Sequence, residues 1–175
     1  ETIKVCYQGI FSKGRGIETL LEHVCSSQNY DDYEFYFIGG GVLTPLVEKA
    51  AADYPGLIRH VGWVPSEELA NYTSQMDIGL CIIEPLCRSY DYSLPNKFFQ
   101  YCSAGLPMIV GDTTELKQLV REQKVGVSWT NGSLEQSFSE ILDDYETYSA
   151  NCLAYVEANN WTGDIAQATS LLFSK

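Results

Sequence analysis

Positive charge is scarce in this chain: 11 Lys and Arg stand against 23 Asp and Glu in 175 residues, a formal net charge of −12. A field of that sign repels nucleic acid and anionic lipid, so no nucleic-acid partner is expected. Long hydrophobic runs are missing as well; none reaches the length of a membrane span. The six cysteines (Cys6, Cys25, Cys81, Cys87, Cys102 and Cys152) make no C-x-x-C pair. That argues against zinc or a disulfide framework. Most of them sit in apolar stretches and read as small buried hydrophobes in a reducing, cytoplasmic compartment. Only two histidines occur, and neither His23 nor His60 has a Ser, Cys or carboxylate at a recognisable catalytic spacing, so both are expected to be structural. The dinucleotide fingerprint G-x-G-x-x-G and the Walker loop are absent too. Sequons at Asn71, Asn131 and Asn160 carry little weight, because such triplets arise by chance.

What is present is enough for one domain with its own core: 45% of the residues are hydrophobic and 19% charged. The chain begins at Glu1 rather than Met, and the expectation is an excised piece of a longer protein. Short apolar runs alternate with amphipathic stretches. Strands are expected at "IKVCYQG", "EFYFIGGG", "IRHVGWV", "IGLCII", "PMIVGD" and "VGVSW". Helices are expected at "GIETLLEHVCS", "LTPLVEKAAADYP", "PSEELANYTSQMD" (with Pro65 in its first turn and Ser66 as its cap), "NKFFQYCSA" and "TTELKQLVREQ", then over 133–157 and 161–173. The strands are continuous apolar runs rather than in–out alternations, the pattern of a sheet covered on both faces. The expected fold class is therefore α/β: a doubly wound, Rossmann-like parallel sheet of about six strands with helices on both faces.

Ligands of such sheets bind beyond the C-terminal ends of the strands, which selects the loops at 9–16, 39–44, 62–65 and 84–97. The first, "QGIFSKGRGIE", combines Gly9, Gly14 and Gly16 with the cations Lys13 and Arg15 just before a helix. It fits an anion site at a helix N-terminus, and it fits a flexible turn with solvated charges equally well. The loop "HVGWVP" offers Trp63 and Val64, either as a flat wall beside a base ring or as packing under the sheet edge.

The last loop leads into "SLPNKFFQYCSAGLP". Pro95 suits a first helical turn and Ser93 a cap, which would aim the N–H groups near Asn96 and Lys97 into the crevice. Lys97 adds charge there or snorkels away. Gln100 falls one turn later on the same face, while Phe98, Phe99, Tyr101 and Cys102 pack inward. Gly105 is expected to end the helix in the left-handed conformation, with Pro107 preventing its continuation. A capped core helix and a phosphate cradle both fit.

Taken in order, "YQGIFSKGRGIETLLE", "FYFIGGG", "IRHVGWVPSEELANYTSQMDIGL", "SLPNKFFQYCSAGLPMIV" and "VGVSW" resemble the C-terminal half of a family-4 glycosyltransferase of GT-B fold, over nearly the whole chain. The most specific segment is "SLPNKFFQYCSAGLP", which is similar to a common variant of that family's two-glutamate motif. The resemblance implies that 1–175 is a nucleotide-sugar-binding domain. Its N-terminal partner half would carry the acceptor site and any membrane contact. The implied reaction moves a sugar from a nucleotide-diphosphate donor with retention at the anomeric carbon, without metal or further cofactor, in glycan or polysaccharide biosynthesis. By the same resemblance Gly9, Lys13, Arg15, Leu94, Asn96 and Lys97 would meet the diphosphate, Trp63 and Val64 the base, Gln100 the ribose, and Asp91 and Tyr92 the donor sugar. No catalytic residue is assigned. Uridine, guanosine and adenosine carriers remain equally open. Two positions depart from the family pattern: Ile10 stands where it has Arg, and Gln100 where it has Glu. Those departures favour an alternative, a degenerate non-catalytic module with an assembly or regulatory role. The donor half of a sugar-nucleotide epimerase is another.

Overall fold

A computed structural model describes residues 2–27, 29–129 and 133–159. The helix expected over 161–173 and the sequons at Asn131 and Asn160 lie outside them.

Six strands form one parallel sheet in the order β3-β2-β1-β4-β5-β6. They are β1 (Ile3–Ile10), β2 (Tyr33–Gly40), β3 (Ile58–Gly62), β4 (Ile78–Cys81), β5 (Met108–Val110) and β6 (Gly126–Ser128). Successive strand residues point to opposite faces, and here both faces are covered. Val5, Tyr7, Ile78, Leu80 and Ile109 meet one core, with α1 (Ile17–Ser26), α2 (Thr44–Asp53) and α7 (Leu134–Asp143). Cys6, Cys81, Met108 and Val110 meet the other, with α3 (Ser66–Thr73), α5 (Asn96–Ser103), α6 (Thr114–Gln123) and α8 (Tyr145–Ala158). Two buried faces explain why the strands read as unbroken apolar runs.

The expected helix over 133–157 is two helices, α7 and α8, broken at Asp144. Their buried residues explain the break: Phe138 and Ile141 of α7 pack into the first core, whereas Cys152 of α8 packs into the second. A single straight helix could not serve both faces. Ser133 starts α7 with a capping box, accepting from Gln136 N at 3.1 Å while Gln136 Oε1 accepts from Ser133 N at 3.3 Å.

Two expected caps are not made. Pro65 and Pro95, both extended, occupy the N-cap positions of α3 and α5, so Ser66 is the first residue of its helix. Ser93 instead donates its hydroxyl to Tyr90 O at 3.0 Å, closing a one-turn helix, α4 (Arg88–Asp91), that the sequence pattern did not show. At the far end of α5 Gly105 has the expected positive φ of 65°. Ser149 of α8 donates to its carbonyl at 2.7 Å, so the turn also docks α8.

The strand order reverses between β1 and β4. That switch point leaves a crevice beyond the strand C-termini.

Candidate functional site

A cavity of about 290 Å³ occupies this crevice. Gln8, Gly9 and Ile10 reach it from the end of β1, and Ile38 and Gly39 from the end of β2. Trp63 and Val64 follow β3, while Pro95, Asn96, Lys97 and Gln100 come from the start of α5. Arg15 closes the wall from the loop before α1. Gly9, Arg15, Trp63, Val64, Asn96, Lys97 and Gln100 are thus brought together although they span 92 positions of sequence.

Gly9 shows why glycine is needed here. Its φ is 122°, and its register partner Gly39, at 136°, stacks so close that a Cβ on Gly39 would lie 2.0 Å from Gly9 O. No L side chain fits that pair of strand ends.

Lys97 is 8% exposed, and its Nζ has no hydrogen-bond partner among the described residues. It does not snorkel to solvent; the ammonium sits 3.8 Å from the centre of the Tyr7 ring, a cation–π contact. Burial is the main cause that lowers its pKa from 10.5 to about 8; the nearby Cys81 thiol acts against that shift and the Arg15 charge with it. Arg15 is half-buried, its guanidinium 4.9 Å above the Tyr90 ring. The described lining holds two cations and no carboxylate. The N–H groups of Asn96 and Lys97, which begin α5 without a side-chain cap, add positive potential; that of Phe98 is bonded to Pro95 O at 3.0 Å. The cavity floor is therefore built for an anion.

Trp63 is 69% exposed on the cavity rim rather than packed under the sheet edge. Ile10 is 61% exposed and brings no charge to the lining.

Four of the singled-out residues lie outside the wall. Lys13 and Leu94 are exposed, and Tyr92 is 60% exposed. Asp91 accepts from Thr114 N at 2.8 Å and from Thr114 Oγ1 at 3.1 Å, so it caps α6 from a neighbouring segment. His23 meets Glu135 at 3.5 Å, and His60 lies 3.3 Å from Gly39 O; both join elements together, as expected. Asn71 lies within α3, and Thr73 of its sequon is buried.

Gln8 is the site residue that sequence reasoning missed. It is 2% exposed, and its Nε2 donates to Gln100 Oε1 at 2.7 Å. A lone amide in the apolar run "KVCYQGI", one step before the loop glycine, was the available signal. Among the described residues no group of three or more His, Cys, Asp and Glu could hold a metal ion, and no helix is long and apolar enough to cross a membrane.

The sequence profile of the family described as "Glycosyl transferases group 1" matches residues 2–145. No curated protein matches the chain. Solved structures do. Sucrose-phosphate synthase from Thermosynechococcus elongatus superposes with a TM-score of 0.76 at 22% identity, over 99% of this chain and 46% of that one. HepE from Anabaena, in complex with UDP, gives 0.73 at 13%, over 99% and 49%. The C-terminal domain of LpcC, a group 1 glycosyl transferase family protein from Francisella tularensis, gives 0.68 at 13%, over 90% and 85%. At these identities the likeness is one of fold. The chain spans about half the length of the first two structures.

Proposed function

We propose, because this chain belongs to the glycosyl transferases of group 1, that it is the donor-binding, C-terminal half of a family-4 retaining GT-B enzyme, moving a sugar from a nucleotide-diphosphate sugar to an acceptor. One observation carries the proposal: Lys97 Nζ is buried without a hydrogen-bond partner, beside Arg15, in a cavity at the start of α5. A buried ammonium costs stability unless it meets a counter-charge, and a diphosphate supplies one.

In this assignment Lys97, Arg15 and the N–H groups at Asn96 and Lys97 hold the diphosphate over Gly9, with Lys13 and Leu94 nearby. Trp63 and Val64 flank the base, and Gln100 meets the ribose. The leaving oxygen gathers negative charge as the glycosidic bond breaks, and two fixed cations in a partly dry cavity lower that barrier. Asp91 and Tyr92 border the donor-sugar region. No metal is assigned a part. Six free thiols fit a reducing, cytoplasmic setting, and the proposed pathway is glycan or polysaccharide synthesis. The exposed apolar rim at Ile10 and Trp63 is the kind of surface that an opposing N-terminal half, with the acceptor site, would cover.

Titrating the protein by calorimetry with UDP, GDP and ADP and their sugars tests this. HepE was solved with UDP-glucose, so uridine carriers come first. The expected result is saturable binding of one carrier without added metal. Heats indistinguishable from buffer for all of them would sink the proposal. Ile10, apolar at the cavity, supports the second reading, a degenerate module; donor binding without sugar transfer by the protein carrying both halves would establish it.

A further inference from the structure

Behind Gln100 stands a chain of hydrogen bonds that crosses three elements. Thr73 of α3 places Oγ1 3.0 Å from Gln8 Oε1 and 2.8 Å from Leu69 O. Gln8 of β1 places Nε2 2.7 Å from Gln100 Oε1 on α5. Gln8 and Thr73 are each 2% exposed, whereas Gln100 is exposed at the cavity wall. Tyr101 OH anchors the Gln8 backbone, accepting its N–H at 3.2 Å.

The Thr73 hydroxyl has one proton and two acceptors within reach. If it donates to Gln8 Oε1, Gln8 Nε2 donates to Gln100 Oε1, and Gln100 offers its amino group to the cavity. If it donates to Leu69 O instead, Thr73 Oγ1 accepts from the Gln8 amide turned end over end. Gln8 then accepts from a turned Gln100, which offers its oxygen to the cavity. Amide oxygen and nitrogen are nearly alike in size, so both arrangements use the same heavy-atom positions and satisfy every buried bond of the relay.

We propose that Gln8 and Thr73 are positioning residues for the ribose: they hold Gln100 against the diol and let it present either a donor or an acceptor. This rests on the donor-binding function proposed above.

The test compares a nucleoside diphosphate with its 2′,3′-dideoxy analogue and with inorganic pyrophosphate, by calorimetry on the whole protein. Wild type should prefer the ribose form by about tenfold, the value of two neutral hydrogen bonds. Gln8→Leu and Thr73→Val should bring that preference to about twofold or less and leave pyrophosphate affinity unchanged, which also shows that the variants fold. Thr73→Ser should keep the preference, because serine keeps the hydroxyl. A ribose preference that survives Gln8→Leu and Thr73→Val overturns this inference alone. A wild type with no preference overturns the ribose assignment and the inference with it.

Discussion

Lys97 Nζ, on α5, lies 3.8 Å from the centre of the Tyr7 ring, on β1. No hydrogen-bond acceptor among the described residues reaches the ammonium. A buried cation whose compensation is a π face is under-compensated. The electrostatic cost of folding and the capacity for an anion therefore sit on one atom.

Replacing Lys97 with Met should separate the two. Methionine keeps the shape and contacts of the stem and removes the buried charge, so Lys97→Met should stabilise the protein at pH 7 by about 1–3 kcal/mol. Nucleoside diphosphate binding should fall to background. Thermal melts read the first effect and calorimetry the second. A lower melting temperature would mean that the Tyr7 contact outweighs the desolvation.

The same lysine makes both stability and affinity pH-dependent. Its folded pKa, lowered to about 8, is below its ordinary value of 10.5. Between those values the unfolded chain binds a proton that the folded chain does not, so stability rises with pH across that window; below it the penalty is fully present. A bound diphosphate reverses the shift. Binding at pH 9 should therefore take up part of a proton and weaken as pH rises further. Calorimetry in two buffers of different ionisation heat reads the uptake. Lys97→Arg, which does not titrate, should abolish the part that comes from this residue.

Arg15 and Gln100 should differ in cost. Arg15→Ala removes a charge-assisted contact, about 1.5–3 kcal/mol of nucleoside diphosphate affinity, and its loss should shrink as salt rises. Gln100→Ala removes neutral bonds, about 0.5–1.5 kcal/mol. Gln100→Glu keeps an acceptor for Gln8 Nε2 and should strengthen binding of a ribose diphosphate but not of pyrophosphate. Affinities indifferent to all three changes would place the site elsewhere.

Asp91 makes a test independent of any ligand. It caps α6, whose own N-cap residue, Thr113, makes no side-chain bond. Asp91→Ala should cost about 0.5–2 kcal/mol, seen as a lower melting temperature without ligand. An unchanged melt would free Asp91 from this structural role.

The sheet was legible because its signal is local. Runs such as "KVCYQG" and "IGLCII" are apolar at both parities, and only a doubly covered strand needs that. Gly105 announced the end of α5 equally locally, since a left-handed turn excludes most side chains. Arg15, Trp63, Val64, Asn96, Lys97 and Gln100 could be singled out because a parallel sheet gathers its loops at one edge, and they do line one cavity. The caps expected at Ser66 and Ser93 are not made, because Pro65 and Pro95 occupy the N-cap positions and the Ser93 hydroxyl is bonded to Tyr90 O, a partner that only the fold supplies.

By itself, then, the sequence determined the layers, the strand directions, the working edge of the sheet and the residue types available there. Tertiary structure alone decided which way each side chain faces and what it meets. Lys97 could have reached solvent, yet it lies buried over the Tyr7 ring of β1. Gln8, Thr73 and Gln100 carry no mutual signal along the chain, because their partnership exists only where α3 and α5 cover the same strand. Asp91's bond to Thr114 is likewise a spatial fact, since 23 positions separate the two. The division has one physical cause: period and composition are properties of neighbours in sequence, whereas burial and hydrogen-bond partners are properties of neighbours in space.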